Sequence, residues 1–234
     1  MLEAISWGLV AASSLIIGAV AGVIRDWNRR LVGLVLGFGA GALVASISFE
    51  LAEEGFRLAG ALSVSIGLAS GAVVFYFADM GVARVGGRTT QSAGSSLALG
   101  ALLDGIPEQA VLGIGIAGGA GVSLALLVAI FVSNLPEAIG SASDMKLAAH
   151  PTKTILLLWT ATAMLCAAAT VGGYQLQEVA GKELQGGINE FAAGALLVML
   201  VGSMIPEASE KAKDQAGLAA VLGFAVAAGL SLAS

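Results

Sequence analysis

An all-α, polytopic membrane protein, folded as an eight-helix transmembrane bundle, is what this sequence predicts, on three observations. Of its 234 residues, 57% are hydrophobic and only 12% are charged, where an ordinary soluble domain carries about a quarter charged residues. Mean hydropathy is +0.92. Eight apolar runs are each long enough to cross the ~30 Å hydrocarbon layer, where a helix satisfies every backbone N–H and C=O within its own segment. The 33 glycines are spread along the chain and there are only 4 prolines. Without alternating apolar and polar runs, this argues against collagen, a disordered tail or an outer-membrane barrel.

The spans, in order, are residues 4–24, 31–50, 58–79, 94–116, 121–143, 153–174, 188–208 and 214–233. The first follows Met1-Leu2-Glu3, which lacks the basic region of a signal peptide, so it reads as a retained span. The sixth holds the only cysteine, Cys166, a small buried hydrophobe with no disulfide partner. The polar stretch from Arg84 to Ser96 reads as a flexible loop between spans three and four. No connection is long enough for a second domain, so 1–234 is a single transmembrane domain. Lysines and arginines fall nine to two in favour of one set of alternate loops, with only Arg57 and Lys182 in the other. By the positive-inside rule both termini lie outside a cell membrane. A net charge of −5 without clustered cations excludes a nucleic-acid surface.

An internal repeat follows from the spans. Phe38-Gly39-Ala40-Gly41-Ala42-Leu43 opens the second and Phe191-Ala192-Ala193-Gly194-Ala195-Leu196 the seventh, with Glu54 and Glu207 each sixteen residues beyond the phenylalanine. Five spans separate the copies, so they cross in opposite directions, as in an inverted repeat of spans 1–3 and 6–8. Glycines four apart, such as Gly18/Gly22 and Gly37/Gly41, give small-residue stripes for close helix packing.

Three carboxylates fall inside spans four and five: Asp104, Glu108 and Glu137. Each charge there costs roughly 2.5–3.5 kcal/mol on insertion scales. No lysine, arginine or histidine lies in the interior of any predicted span, so a bound cation or protons must neutralise them. Asp104 and Glu108 are four apart and share a helix face, as do Ser133 and Glu137, with Asn134 on the same side. Pro107 and Pro136 each break the hydrogen-bond ladder, which predicts two kinked central helices with the carbonyls of Leu103 and Val132 freed. Carboxylates beside such breaks form a cation site at the midplane. Glu50 and Glu54 at one mouth, with Glu207 and Glu210 at the other, extend this into a route, although a solvated surface explains those end groups as well.

Paired Pro-Glu motifs on adjacent spans, eight helices and the two Phe-x-Ala-Gly-Ala-Leu openings together resemble the ZIP family of divalent metal transporters, over nearly the whole chain. The resemblance implies movement of zinc, iron or manganese into the cytoplasm by an elevator-like shift, with Glu108 and Glu137 bridging the metal. It places Asp104 where the family motif has histidine and Gly105 where it often has asparagine, and it puts Ser133 and Asn134 at the polar positions of the fifth span. Ser46 or Ser48 is expected to approach the site. His150, the only histidine, lies in a loop, and Gly105 carries no ligand, so one metal is expected rather than two.

Oxygen ligands lean towards manganese or iron(II), while the family resemblance implies zinc, which also accepts carboxylates. Zinc is kept first. The metal is cargo, the other partner is the lipid bilayer, and a homodimer is the oligomer to consider. An intramembrane enzyme is disfavoured because no nucleophile and base pair is present. The alternative reading is a metal-binding membrane sensor or assembly protein without transport.

Overall fold

The computed structural model describes residues 1–86, 93–118, 122–180 and 182–233. The side chains of a number of these, Glu54 among them, lie outside the description, as do residues 87–92 of the polar loop expected at 84–96, whose flanks 84–86 and 93–96 are helical. Every element formed by the described residues is helical: α1 (Leu2–Ile24), α2 (Arg29–Ser46), α3 (Glu53–Gly86), α4 (Ala93–Ala117), α5 (Leu124–Leu147), α6 (Thr152–Val179), α7 (Lys182–Met199), α8 (Ile205–Ala212) and α9 (Gln215–Ala233). Two π-helical turns, Ile47–Ala52 and Leu200–Met204, join α2 to α3 and α7 to α8. Seven helical stretches among the described residues are long and apolar enough to cross a membrane. The chain is therefore a multi-pass, all-helical membrane protein.

Helix ends follow local chemistry. Asn28 caps α2 by accepting the Arg30 N–H at 2.9 Å, and Ser123 caps α5 by accepting the Leu126 N–H at 3.1 Å. Both satisfy donors that the first helical turn leaves free. The second span does not stop at residue 50: it runs Arg29–Leu58 through the π-turn, and the chain reverses at Gly60, with φ 73° and ψ 172°. Only glycine adopts that conformation without strain. The seventh span likewise extends beyond residue 208, from Leu184 to Ala212. A π-turn adds a residue to the helical repeat and keeps the helix going. In both places apolar segment, turn and acidic segment form one continuous rod.

The outside and inside of the bundle invert the soluble pattern. Large apolar side chains such as Leu62, Ile66, Phe77, Val221 and Leu222 face outwards, where acyl chains cover them. The interior mixes many alanines and glycines with large apolar side chains such as Trp159, Leu36, Leu43 and Ile130, and with polar groups that include Glu108, Gln109, Ser133, Asn134 and Glu190. Small residues let backbones touch. A Cβ at Gly37 would lie 2.7 Å from the Ala216 carbonyl oxygen, which fixes the approach of α2 to α9. The most extensive packings are α3 on α7, α4 on α6, α2 on α9 and α1 on α5. The backbone of Phe38 in α2 rests on Gly223 of α9, and that of Phe191 in α7 rests on Gly71 of α3.

Helices α4 and α5 run through Pro107 and Pro136 without interruption. The conformational break described inside a helix is at Gly60.

Candidate functional site

Three helical segments bring oxygen ligands to one point. Asp104 and Glu108 project from α4, Ser133, Asn134 and Glu137 from α5, and Ser203 and Glu207 from the π-turn and the start of α8. In each segment two polar residues sit four apart, 104/108, 133/137 and 203/207, so one helix face presents both.

A small cavity is lined by Leu36, Asp104, Glu108, Glu137, Met199, Ser203, Met204 and Glu207. Its water-accessible volume, about 10 Å³, is on the scale of a single water or one dehydrated ion. All three carboxylates expected at the site therefore share one cavity. Glu207, expected at its mouth, is also in its wall.

Hydroxyls hold two of the carboxylates. Ser133 Oγ lies 3.2 and 3.3 Å from the two oxygens of Glu108, and also 2.9 Å from the Ile130 carbonyl. Ser203 Oγ lies 3.1 Å from Asp104 Oδ2 and 2.9 Å from the Met199 carbonyl. A hydroxyl has a single proton, so each serine can release its carboxylate by turning to its own backbone. Ser133 is thus a positioning residue behind Glu108 and does not line the cavity.

Asn134 is buried and near Glu108, but its amide nitrogen makes no well-formed hydrogen bond. Of the two serines considered in span two, Ser46 is buried with its hydroxyl unpartnered, while exposed Ser48 donates to the Val44 carbonyl at 2.8 Å. Ser46 is the inward one. Gly105 packs closely on α6: a Cβ there would lie 2.7 Å from Cys166 Sγ, so a side chain at that position would have to displace the thiol.

The expectation that no basic residue reaches the interior needs correction. Lys211 belongs to α8, which carries the seventh span past residue 208. Its side chain is 11% exposed, and Nζ lies 2.6 Å from Glu207 Oε1. A lysine on the last turn of a span can lay its apolar stem along the helix and place the ammonium several ångströms away. Glu137 lies within the electrostatic reach of Asp104, Glu108, Glu207 and Lys211. The cavity wall therefore holds four carboxyl groups, and the Lys211 ammonium pairs with one of them, Glu207, from outside that wall.

The remaining route residues lie apart. Glu50 is half-buried and accepts a hydrogen bond from Ser123 Oγ at 2.6 Å. Exposed Glu210 is 4.0 Å from Arg29. Among the described residues, no three histidine, cysteine, aspartate or glutamate side chains converge closely enough to grip a metal ion between them.

Ser203 and Glu190 lie outside the site that the sequence suggests, and Lys211 counts there only among the loop cations. Ser203 stands one turn before Glu207, a spacing that was legible. Glu190 has 0% exposure and both carboxyl oxygens lack a hydrogen-bond partner. It is seated against the bare faces of Gly55 and Gly67. A larger groove between α3 and α7, lined by Leu68, Ala72, Leu197 and Val201 among others, is almost wholly apolar and suits acyl chains rather than ions. Compared with known proteins, the chain matches no family model and no curated sequence.

Proposed function

We propose that this chain carries divalent cations across a cell membrane into the cytoplasm, as a transporter of the ZIP type, with zinc as the first candidate cargo and manganese or iron(II) close behind. The observation that carries this reading is the meeting of Asp104, Glu108, Glu137 and Glu207 around one small cavity inside the bundle. Carboxylates gathered in low dielectric repel one another, and a doubly charged guest relieves that repulsion. Hard oxygen donors suit manganese and iron(II), and zinc accepts them too.

An inverted repeat supplies the second part of the proposal. The π-turns begin nine residues after Phe38 and nine after Phe191, at Ile47 and Leu200. The close contacts pair in the same way, Phe38 with Gly223 and Phe191 with Gly71. Two half-bundles related in this manner can exchange roles, so that the cavity opens to either side. Breaks in the hydrogen-bond ladder at Pro107 and Pro136 would let α4 and α5 bend during that exchange. Both termini then lie outside, and a homodimer is compatible with the broad apolar outer face.

A membrane sensor or assembly protein that binds the cation without moving it is the second reading. It is favoured by the tightness of the cavity and by Gly105 standing where a ligand would otherwise help. Uptake of zinc or manganese into proteoliposomes separates the two. Transport that vanishes in both Glu108→Ala and Glu137→Ala, with the fold retained, supports the first reading. Transport that persists in both refutes the site.

A further inference from the structure

The stem of Lys211 is clamped between two helices. Its Cβ stands 2.6 Å from the position a Cβ would take at Gly33 of α2, and its Nζ stands 2.9 Å from the corresponding position at Gly140 of α5. Glycine at both places leaves the lysine room to lie inwards. Gly140 is three residues past Glu137, so the ammonium rests on the same side of α5 as the cavity.

Lys211 also lines a separate, more open cleft of about 260 Å³, whose walls include Asp26, Arg29, Ser143 and Asp144. Glu207 belongs to the carboxylate cavity and Lys211 to the cleft, and their 2.6 Å ion pair stands between the two spaces. The cleft holds two aspartates, Asp26 and Asp144, that could receive the ammonium if it left Glu207. A lysine stem is flexible and its charge is a compact point with rotatable donors, which suits exchange between such partners.

We propose that Lys211 is a tethered counter-cation: it occupies Glu207 and closes the carboxylate cavity on the cleft side while the cavity is empty, and it is displaced into the cleft when a divalent cation takes its place. This rests on the transport reading above and adds a competing ion built into the chain. The exchange explains how Glu207 is paired in the absence of cargo. It also makes opening towards the cleft conditional on occupancy, because a cation that binds the carboxylates releases the ammonium that blocks the way.

The test uses the full chain in detergent micelles, titrated with zinc or manganese chloride. Binding is measured by equilibrium dialysis, and the rate of Lys211 acetylation by a water-soluble amine reagent is followed by mass spectrometry. Expected are a rise in Lys211 labelling that tracks occupancy and tighter binding in Lys211→Gln by at least about fivefold, the lower range of linkage between two sites. Lys211→Arg, which keeps the charge, should bind like the parent. Should the cation bind, with binding lost in Glu108→Gln, while labelling stays flat and Lys211→Gln binds unchanged, the tethered-ion proposal is overturned and the site stands. Should neither metal bind the parent chain, the transport reading itself fails, and this proposal with it. The labelling measurement needs no variant, so a Lys211→Gln protein that fails to fold leaves the question decidable.

Discussion

Ser203 Oγ, on the π-turn within the seventh span, lies 3.1 Å from Asp104 Oδ2 on α4, ninety-nine residues earlier in the chain. The contact ties the Asp104 carboxylate to the π-turn leading into Glu207. Removing the hydroxyl in Ser203→Ala leaves Asp104 without that donor. Since one hydrogen bond to a charged group contributes about 1.5–3 kcal/mol, cation affinity should shift at least severalfold while helix content stays the same. Equilibrium dialysis beside circular dichroism checks this. An unchanged affinity would show that Asp104 plays no part in holding the ion.

Gly105 and Cys166 should behave as a coupled pair. A methyl at position 105 meets Sγ at 2.7 Å, and forced overpacking of this kind costs typically 1–3 kcal/mol. Gly105→Ala is therefore expected to lower the thermal midpoint, and adding Cys166→Ala to restore most of it. A double-mutant cycle with no coupling would mean that the two helices can part at no cost there.

If the proposed repeat relates the two halves, glycine contacts at matching positions should respond alike. Gly41 faces the Ala220 backbone across α2 and α9, and Gly194 faces the Leu68 backbone across α7 and α3. Substitution to alanine at either should loosen its helix pair, whereas Gly217 has open space around it. Alanine at Gly217 should be neutral or stabilise by up to about 1 kcal/mol through helix propensity. Comparable losses at Gly41 and Gly194 support two equivalent halves, and a large loss at only one of them counts against the repeat.

Glu190 predicts a gain. Its carboxyl is buried with no hydrogen-bond partner, and leaving a polar group buried and unpaired costs about 1–3 kcal/mol, more for a charged one. Glu190→Met should therefore unfold at the same or a higher temperature. A marked loss of stability would reveal that the carboxyl has a partner in the folded state, such as a bound water or ion.

Acidity offers a further check on the cavity. A carboxyl group must shed its proton to hold a metal, so protons compete with the cargo and binding is strongest at the higher pH. Affinity for zinc or manganese should fall as pH drops from 8 to 5, accompanied by proton release on binding that calorimetry in buffers of different ionisation enthalpy can count. A flat profile would place the ion away from the carboxylates.

The apolar runs were legible because span length and composition are one-dimensional properties. Backbone groups in lipid must pair within their own segment, which forces long helices wherever about twenty apolar residues follow one another. The pairing of Asp104 with Glu108, and of Ser133 with Glu137, followed from helical spacing in the same way. The ends of spans two and seven did not. Both continue as helix for several residues past the expected ends, through π-turns that the sequence does not announce, and this brings Lys211 into the same rod as Glu207.

The sequence by itself determined that the chain is a multi-pass helical membrane protein and that several carboxylates stand inside its spans, because hydropathy and a period of 3.6 residues are sufficient for both. Only the tertiary structure decided which oxygens share a cavity, that Ser203 and Glu207 join them from the seventh span, and that the Glu207–Lys211 pair, one helical turn apart, is seated against Gly33 and Gly140. Those neighbours come from distant parts of the chain, and it is the close approach of glycine and alanine faces, set by packing in three dimensions, that brings them within hydrogen-bonding reach.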